Sequence, residues 1–188
     1  MARFESCGRW ADLSDSHGGI TMTSDVKAGF DIHGITMMMS LLKAPMQTDK
    51  WADFGIRRFI IRLDFHNQEF SPKSQILADQ LNYPPTFCDI GKSQPVEKEF
   101  LKIEENKLIL TCLKVSEDGK GFIARFVEPS GGFTTANVEF PLLEGDWKFD
   151  LVNMEEKNEI PLEYNKEKKS ITLEAEMFQV LTVKFSKI

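Results

Sequence analysis

Alternation of apolar and polar side chains is the feature that most constrains the fold of this chain. In residues 121–127 the side chains of Phe122 and Phe126 fall on one face of an extended strand, and Arg125 falls on the other. Residues 147–151 repeat the same period of two. Such segments predict half-buried β-strands, with Phe122 and Phe126 in the core and Arg125 pointing away from it.

Strands are also predicted by other short runs rich in β-branched, aromatic and aliphatic residues. These runs are residues 35–42, 59–65, 107–115, 134–140, 170–175 and 178–185. Turn-forming residues such as Gly18-Gly19 separate the runs, and the only helix pattern is at 71–81, with Ser71 as N-cap and Pro72 at the first helical position. We therefore predict an all-β, antiparallel β-sandwich with at most one short helix near 71–81.

The composition fits a single globular region. The chain has 188 residues, of which 41% are hydrophobic, so it can bury its own core. We expect residues 1–188 to form one β-sandwich region, with two sub-sheets and a crossing near 82–99, where prolines and a glycine interrupt the periodicity. The net charge of −6 argues against nucleic acids and anionic membranes as partners.

Cysteine usage predicts a reducing compartment. Cys7, Cys88 and Cys112 are odd in number and widely spaced, which is typical of buried thiols rather than of a disulfide framework. The N-terminal residues lack the apolar segment of a secretory signal, and no stretch is long and apolar enough to span a bilayer. A cytoplasmic location is expected.

Motifs in the first half of the chain point to a known family. They are Arg9-Trp10-Ala11-Asp12-Leu13-Ser14, Ser24-Asp25-Val26-Lys27-Ala28-Gly29-Phe30-Asp31 and Ser40-Leu41-Leu42-Lys43-Ala44-Pro45. Shorter ones follow at Asp53-Phe54-Gly55, Leu63-Asp64-Phe65-His66 and Leu81-Asn82-Tyr83-Pro84. In order and spacing, the chain resembles the C-terminal β-sandwich region of glycoside hydrolase family 38 α-mannosidases, the cytosolic type in particular.

The resemblance implies a fold of the galactose-mutarotase-like or supersandwich type and a non-catalytic role. In that family the nucleophile, the general acid and the zinc ligands lie in an α/β domain and a helical bundle, and no segment here resembles those parts. The chain is therefore expected to be inactive alone, to contain no zinc, and to pack on the catalytic domain of an α-mannosidase. An assembly of identical copies is left open.

The segment at residues 24–34 is the expected contact with that catalytic domain. By resemblance, Asp25, Lys27, Gly29 and Asp31 would lie at the domain interface or near the substrate. The family usually has Asn-Asp-x-Lys-Tyr-Gly here, whereas this chain has Ser24 in place of Asn and Ala28 in place of Tyr.

Aromatic residues support a second hypothesis, that the chain is a free-standing lectin-like module that binds α-mannoside glycans. Aromatic rings can hold the C–H face of a sugar. Trp51, in a polar segment, and Tyr83 are the candidates for sugar stacking, whereas Trp147 alternates with Phe149 and is expected in the core. The coding sequence upstream of this segment would distinguish this hypothesis from that of an α-mannosidase domain.

The histidines and the clustered aspartates are interpreted as structural residues. The spacing of His17, His33 and His66 matches neither a zincin helix nor a zinc finger. An acidic set, comprising Asp12, Asp15, Asp25 and Asp31, lacks the ligand spacing of an EF-hand and is better explained by turns. We therefore predict no catalytic residues and no metal site, and we interpret His66 as a hydrogen-bonding residue at a strand edge.

Overall fold

The chain is described from a computed structural model, and the description covers residues 5–6, 8–26, 29–42, 47, 49–67, 73–87, 89, 91, 97–104 and 107–188. It divides into two compact units, here called unit 1 (Met1–Cys88) and unit 2 (Asp89–Ile188). That the whole chain makes one β-sandwich region stays a prediction. Within the ranges given, no helix has the length and apolar character needed to cross a bilayer.

Unit 1 consists of two small antiparallel sheets and one helix. In chain order its elements are β1 (Glu5–Ser6), β2 (Trp10–Asp15), β3 (Gly18–Ser24), β4 (Gly29–His33), β5 (Thr36–Ser40), β6 (Ile61–His66) and α1 (Lys73–Asn82). One sheet has the order β1-β4-β5 and the other the order β2-β3-β6. The predicted helix at 71–81 is confirmed as α1, although Ser71 and Pro72 lie outside the described residues.

The two sheets of unit 1 share a small apolar cluster. Ala11 of β2 and Phe30 of β4 are its buried members, and Met22, Met37 and Met39 pack against them. On the opposite face of β2 and β3, the polar side chains lie beneath α1, which contacts both strands. The small residues Ser74 and Ala78, one helical turn apart, are the buried positions of α1 and allow the helix to approach the sheet closely.

Unit 2 is a sandwich of two antiparallel sheets. Its elements are β7 (Lys102–Ile103), β8 (Ile109–Val115), β9 (Phe122–Val127), β10 (Thr134–Glu139), β11 (Trp147–Val152), β12 (Ile160–Leu162), β13 (Tyr164–Asn165), β14 (Ser170–Ala175) and β15 (Val180–Lys187). One sheet has the order β13-β14-β10-β7 and the other the order β12-β11-β15-β9-β8. The predicted antiparallel β-sandwich is thereby confirmed.

The inner faces of these two sheets form one apolar core. Alternate residues of β9, β15 and β11 meet alternate residues of β10 and β14 within it. Phe126 is fully buried, as predicted, and Arg125 lies on the opposite face of β9. The prediction that Phe122 is buried is wrong: it is 39% exposed, because it is the first residue of β9, where Phe185 stacks on one side of its ring and Trp147 lies tilted beside it.

The first half of the chain departs most from the predicted pattern. Gly18-Gly19 was expected to form a turn, but β3 begins at Gly18 and the turn of the hairpin is made by Ser16 and His17. The strands β2 and β3 were not predicted, because Asp12 and Asp15 were interpreted as turn formers. The Asp12 carboxylate is instead accommodated within the sheet by hydrogen bonds.

Candidate functional site

Asp12 is the centre of a buried polar cluster in unit 1. Its side chain is 5% exposed. It accepts hydrogen bonds from the hydroxyls of Ser14 (2.6 Å), Thr21 and Ser74 (3.3 Å) and from Nε2–H of His66 (3.0 Å). Burial alone would raise the pKa of Asp12, but the hydrogen bonds from Ser14, Thr21 and His66 outweigh it and hold the pKa below its usual range.

A cleft of about 340 Å³ opens beside this cluster, with Thr21, Arg62, Asp64, His66 and Ser74 in its wall. The Arg62 guanidinium donates to Oδ1 of Asp64 through Nε at 2.9 Å and Nη2 at 2.8 Å. Oδ2 of Asp64 is buried and, in the described part of the chain, has no hydrogen-bond partner. The wall presents hydroxyl, imidazole and guanidinium groups to a polar ligand.

The sequence analysis treated these residues separately. Asp12 was considered as one of four acidic residues, and His66 as a strand-edge residue that forms hydrogen bonds. The structure confirms the interpretation of His66 as a hydrogen-bonding edge residue, since β6 lies at the edge of its sheet and the His66 imidazole bonds to Asp12. The spacing of two between Arg62, Asp64 and His66 was the signal that they share one face of a strand.

Asp25 and Asp31, two of the residues expected at an interface, lie in different elements of unit 1. Asp25 follows the last residue of β3: its backbone N–H donates to the Ile60 carbonyl at 3.2 Å, and its Oδ1 accepts from the Ile60 N–H at 3.0 Å. Asp31 lies on β4, opposite Met38 of β5. Asp25 thus joins the end of β3 to the start of β6, and the interface role of both residues stays a prediction.

Gly29 and Lys27 complete that predicted set. Gly29 begins β4 and pairs with Ser40 and Ser6 on its two sides. Lys27 lies outside the described residues, so its expected place at an interface stays a prediction.

Two exposed aromatic rings occupy separate places in unit 1. Trp51 is 68% exposed, and its ring meets the edge of Phe54 with centroids 5.3 Å apart. Tyr83 follows α1 and is 66% exposed, with the Arg9 guanidinium 4.8 Å from its ring centroid. Trp147, in contrast, packs against the core of unit 2, as predicted.

Strand β6 carries an exposed apolar strip. Ile61, Leu63 and Phe65 alternate with Arg62, Asp64 and His66 along β6 and are 43%, 48% and 80% exposed. They continue the face formed by Met22 and Ala11, which are their neighbours across β3 and β2. The apolar strip, defined by Ile61, Leu63 and Phe65, is therefore the uncovered end of an otherwise packed sheet face, and such surfaces usually mark a contact with a partner.

Glu128 organises a rigid loop in unit 2. It is fully buried and accepts hydrogen bonds from the backbone N–H groups of Ser130 (2.8 Å), Gly131 (2.8 Å), Gly132 (3.3 Å) and Phe178 (3.1 Å). Burial alone would raise the pKa of Glu128, but these bonds and one from the Ser130 hydroxyl lower it to about 2. Sequence reasoning missed this residue, because Pro129 and the glycines that follow indicated only a turn.

The three histidines of the chain lie at separate points of unit 1. His17 lies in the β2–β3 turn, His33 ends β4, and His66 bonds to Asp12. In the part of the chain that the structure describes, no group of three or more His, Cys, Asp or Glu side chains converges as a metal site. These residues therefore do not fit the zinc of the resembled catalytic domain.

Comparison with known proteins found a family match within unit 2. Residues 107–183, which run from just before β8 into β15, match the family described as "Glycosyl hydrolases family 38 C-terminal beta sandwich domain".

Similar proteins come from several organisms. Alpha-mannosidase G of Dictyostelium discoideum is 28% identical over 193 residues, covering 98% of this chain and 18% of the relative. Alpha-mannosidase 2C1 of Homo sapiens is 38% identical over 136 residues, covering 69% of this chain and 13% of the relative. Alpha-mannosidase of Saccharomyces cerevisiae is 34% identical over 84 residues, covering 44% of this chain and 8% of the relative. The chain thus spans less than a fifth of the length of these relatives.

Proposed function

We propose that this chain, whose residues 107–183 belong to the glycosyl hydrolase family 38 C-terminal β-sandwich domains, is the non-catalytic β-sandwich region of an α-mannosidase. In this role it packs on the catalytic domain and completes it, and the enzyme acts on α-mannosides during glycan breakdown. The observation that carries the proposal is the family match across the strands of unit 2. Relatives named as α-mannosidases support it, since the similarity to one of them extends over 98% of the chain.

The contact with the catalytic domain is assigned to unit 1. The apolar strip on β6 supplies exposed hydrophobic surface, and burying such surface is the main driving force for association. Asp25, with Lys27, Gly29 and Asp31 of the family-like segment, is proposed to contribute the polar contacts of the same interface or to approach the substrate. The hydrogen bonds between Asp25 and Ile60 support this, because they tie that segment to the start of β6.

Zinc chemistry is proposed to belong to the catalytic domain and not to this chain. The placement of His17, His33 and His66 at separate points of unit 1 supports the proposal. Dialysed chain should therefore retain less than stoichiometric zinc when its metal content is measured by mass spectrometry.

A cytoplasmic location is proposed from the cysteine pattern and from the resemblance to the cytosolic type. Cys112 is a free thiol, half-buried in β8, which fits a reducing compartment. Self-association of this region is a further option, and the apolar strip is the surface that would support it.

Trp51 and Tyr83 favour a second candidate, a free-standing lectin-like module. Both rings are more than half exposed and could stack on a sugar, and the nearby Arg9 could bond to its hydroxyls. Their large exposure is the specific observation in favour of glycan binding by this chain itself.

The test combines an assay of the chain alone with an association measurement. Purified chain should not hydrolyse a chromogenic α-mannoside, with or without added zinc. It should bind the catalytic region of a family 38 α-mannosidase that has been produced without its own C-terminal sandwich, as measured by calorimetry. Zinc-dependent turnover by homogeneous chain would refute the non-catalytic assignment, and binding of mannose oligosaccharides abolished by Trp51→Ala would favour the lectin reading.

A matched pair of variants locates the contact. Leu63→Asp, in the apolar strip, should weaken binding to the catalytic region, whereas Leu142→Asp, on an exposed turn of unit 2, should not. These two leucines are exposed to a similar extent, 48% and 41%. Equal effects of both substitutions would remove the apolar strip from the proposed interface.

A further inference from the structure

A groove of about 690 Å³ runs beside strand β14 in unit 2. Its lining combines residues of both sheets with the segment that connects them. Among these residues are Leu151, Leu162, Glu163, Asn165, Thr172 and Glu174. The groove therefore opens at the side of the sandwich, where the space between the sheets reaches the surface.

Strand β14 has an incomplete partner on this side. It pairs along its whole length with β10, whereas β13 reaches only Ser170 and Ile171. In the described part of the chain, residues 172–175 thus have a strand neighbour on one side alone. Backbone N–H and C=O groups of an antiparallel strand point alternately to its two sides, so part of this segment's hydrogen-bonding capacity faces the groove.

The edge is open because the chain leaves one sheet for the other at this point. Residues Ile160–Leu162 pair with β11 in the five-stranded sheet, and residues Tyr164–Asn165 pair with β14 in the four-stranded sheet. The crossing at Glu163 prevents either short strand from extending along residues 172–175. Leu151 and Leu162, both half-buried, remain as apolar surface in the groove.

We propose that this groove binds an extended polypeptide segment, which adds a strand to the free edge of β14. The backbone of the segment would bond to residues 172–175, a length of about 13 Å at about 3.3 Å per residue. Alternate side chains would pack on Leu151 and Leu162. The side chains between them would face Glu163 and Glu174, which give the described lining a net negative charge against its one cation, Lys168, so a segment that alternates apolar residues with Lys or Arg fits the groove.

Charge and shape favour this occupant over a second copy of the chain and over a sugar. Edge-to-edge pairing of two copies would bring the Glu163 and Glu174 carboxylates of both chains together, which is unfavourable. Among the described residues that line the groove, none carries an aromatic ring on which a sugar could stack. The inference does not depend on the proposed contact with a catalytic domain, because the apolar strip belongs to unit 1.

The test is a titration of the full chain followed by amide NMR. The probe is a blocked heptapeptide that alternates Lys and Val, and the control peptide alternates Glu and Val. The Lys-Val peptide should shift the amides of residues 172–175 and slow their hydrogen exchange, while the Glu-Val peptide should bind about tenfold more weakly because of the groove carboxylates.

Charge reversal provides the matched variants. The double variant Glu163→Lys and Glu174→Lys should invert the preference for the two peptides. Glu155→Lys, which makes the same change at an exposed position outside the groove lining, should leave the preference unchanged. Retained folding of each variant is checked by the amide spectrum of the core strands.

Three results would overturn the inference. One is the absence of any response of residues 172–175 to either peptide. Another is a response of these residues to mannobiose but not to peptide, which would make the groove a sugar site. The last is concentration-dependent protection of the same amides without peptide, which would assign the edge to a second copy of the chain.

Discussion

The two units differ sharply in how completely they bury their apolar side chains. Among the described residues of unit 1, only Ala11, Phe30 and Ala78 are buried apolar residues, and two of these are alanines. Unit 2 has a continuous core with Phe126, Phe140, Phe149 and Phe185 at its centre. Unit 1, by contrast, leaves the apolar strip of β6 exposed. The difference indicates that unit 2 is stabilised by its own packing, while unit 1 leaves apolar surface exposed, as the proposed contact with a catalytic domain requires.

The buried carboxylates show the same contrast. Asp12 of unit 1 is held by side-chain groups, including the Ser74 hydroxyl of α1 and the His66 imidazole of β6, so it links three elements. Glu128 of unit 2 is held largely by the backbone N–H groups of two loops. A carboxylate bonded to backbone fixes a local conformation, whereas Asp12 depends on the relative positions of separate elements.

Phe126→Ala should have the largest effect on stability. It would remove a fully buried ring from the core of unit 2 and lower the free energy of unfolding by about 3–5 kcal/mol. Arg125→Ala, at the next position on the outer face, removes a hydrogen bond to the Met154 carbonyl and should cost much less. Urea denaturation followed by Trp147 fluorescence, with Trp10 and Trp51 replaced by Phe, measures both. Similar losses for the two variants would mean that the strand register is wrong.

Phe30→Ala tests the other side of the comparison with the same chemical change. Phe30 is 2% exposed but has only Ala11 and a few methionines around it, so the site can collapse more readily. We expect a loss of about 1–3 kcal/mol, confined to unit 1 and detected by Trp10 fluorescence. A loss as large as that of Phe126→Ala would show that unit 1 has a core as well packed as that of unit 2.

Glu128 should make the stability of unit 2 dependent on acid. Its pKa is lowered to about 2 in the folded chain from an ordinary value of 4.5, so the folded state binds the proton less tightly than the unfolded state. The stabilisation is therefore complete above pH 4.5 and is lost as the pH falls towards 2. Glu128→Gln should destabilise unit 2 at neutral pH by about 1–3 kcal/mol and flatten this dependence. An unchanged acid transition in the variant would assign the effect to other carboxylates.

Leu63→Asp should have the smallest effect on the chain alone. The side chain is already about half exposed on the apolar strip, so the substitution should change the unfolding free energy of unit 1 by less than about 1 kcal/mol. The substitution should instead weaken the binding of the chain to the catalytic region. A large loss of stability in the isolated chain would show that the strip belongs to the core of unit 1.

The sequence predicted unit 2 better than unit 1 for a physical reason. The period of two in residues 121–127 and 147–151 corresponds closely to β9 and β11, because one face of each strand is buried in a core. In unit 1 the face of β2 and β3 that α1 covers carries the polar residues Asp12 and Thr21. A polar side chain in these strands therefore does not indicate an exposed position. Local patterns cannot report that a helix fifty residues later supplies hydrogen bonds to these side chains.

Features of the candidate site could likewise be predicted where they rest on a local motif and not where they rest on long-range contacts. The family-like segment at residues 24–31 could be recognised from the sequence, whereas the Asp12 cluster depends on residues 9, 54 and 62 positions away. The Glu128 loop depends on Phe178, fifty positions later. Such long-range partners become visible only when the strand pairing is known.

Native-state hydrogen exchange of the full chain tests the contrast between the two units most directly. Amides in the central strands β9 and β15 of unit 2, which have a strand neighbour on each side, should exchange only through global unfolding of that unit. Amides in β3 and β6 of unit 1 should exchange through smaller openings and should become protected when a catalytic region of the family is added. Equal protection of β6 and β15 in the chain alone would contradict the account, because it would show that unit 1 is already complete without a partner.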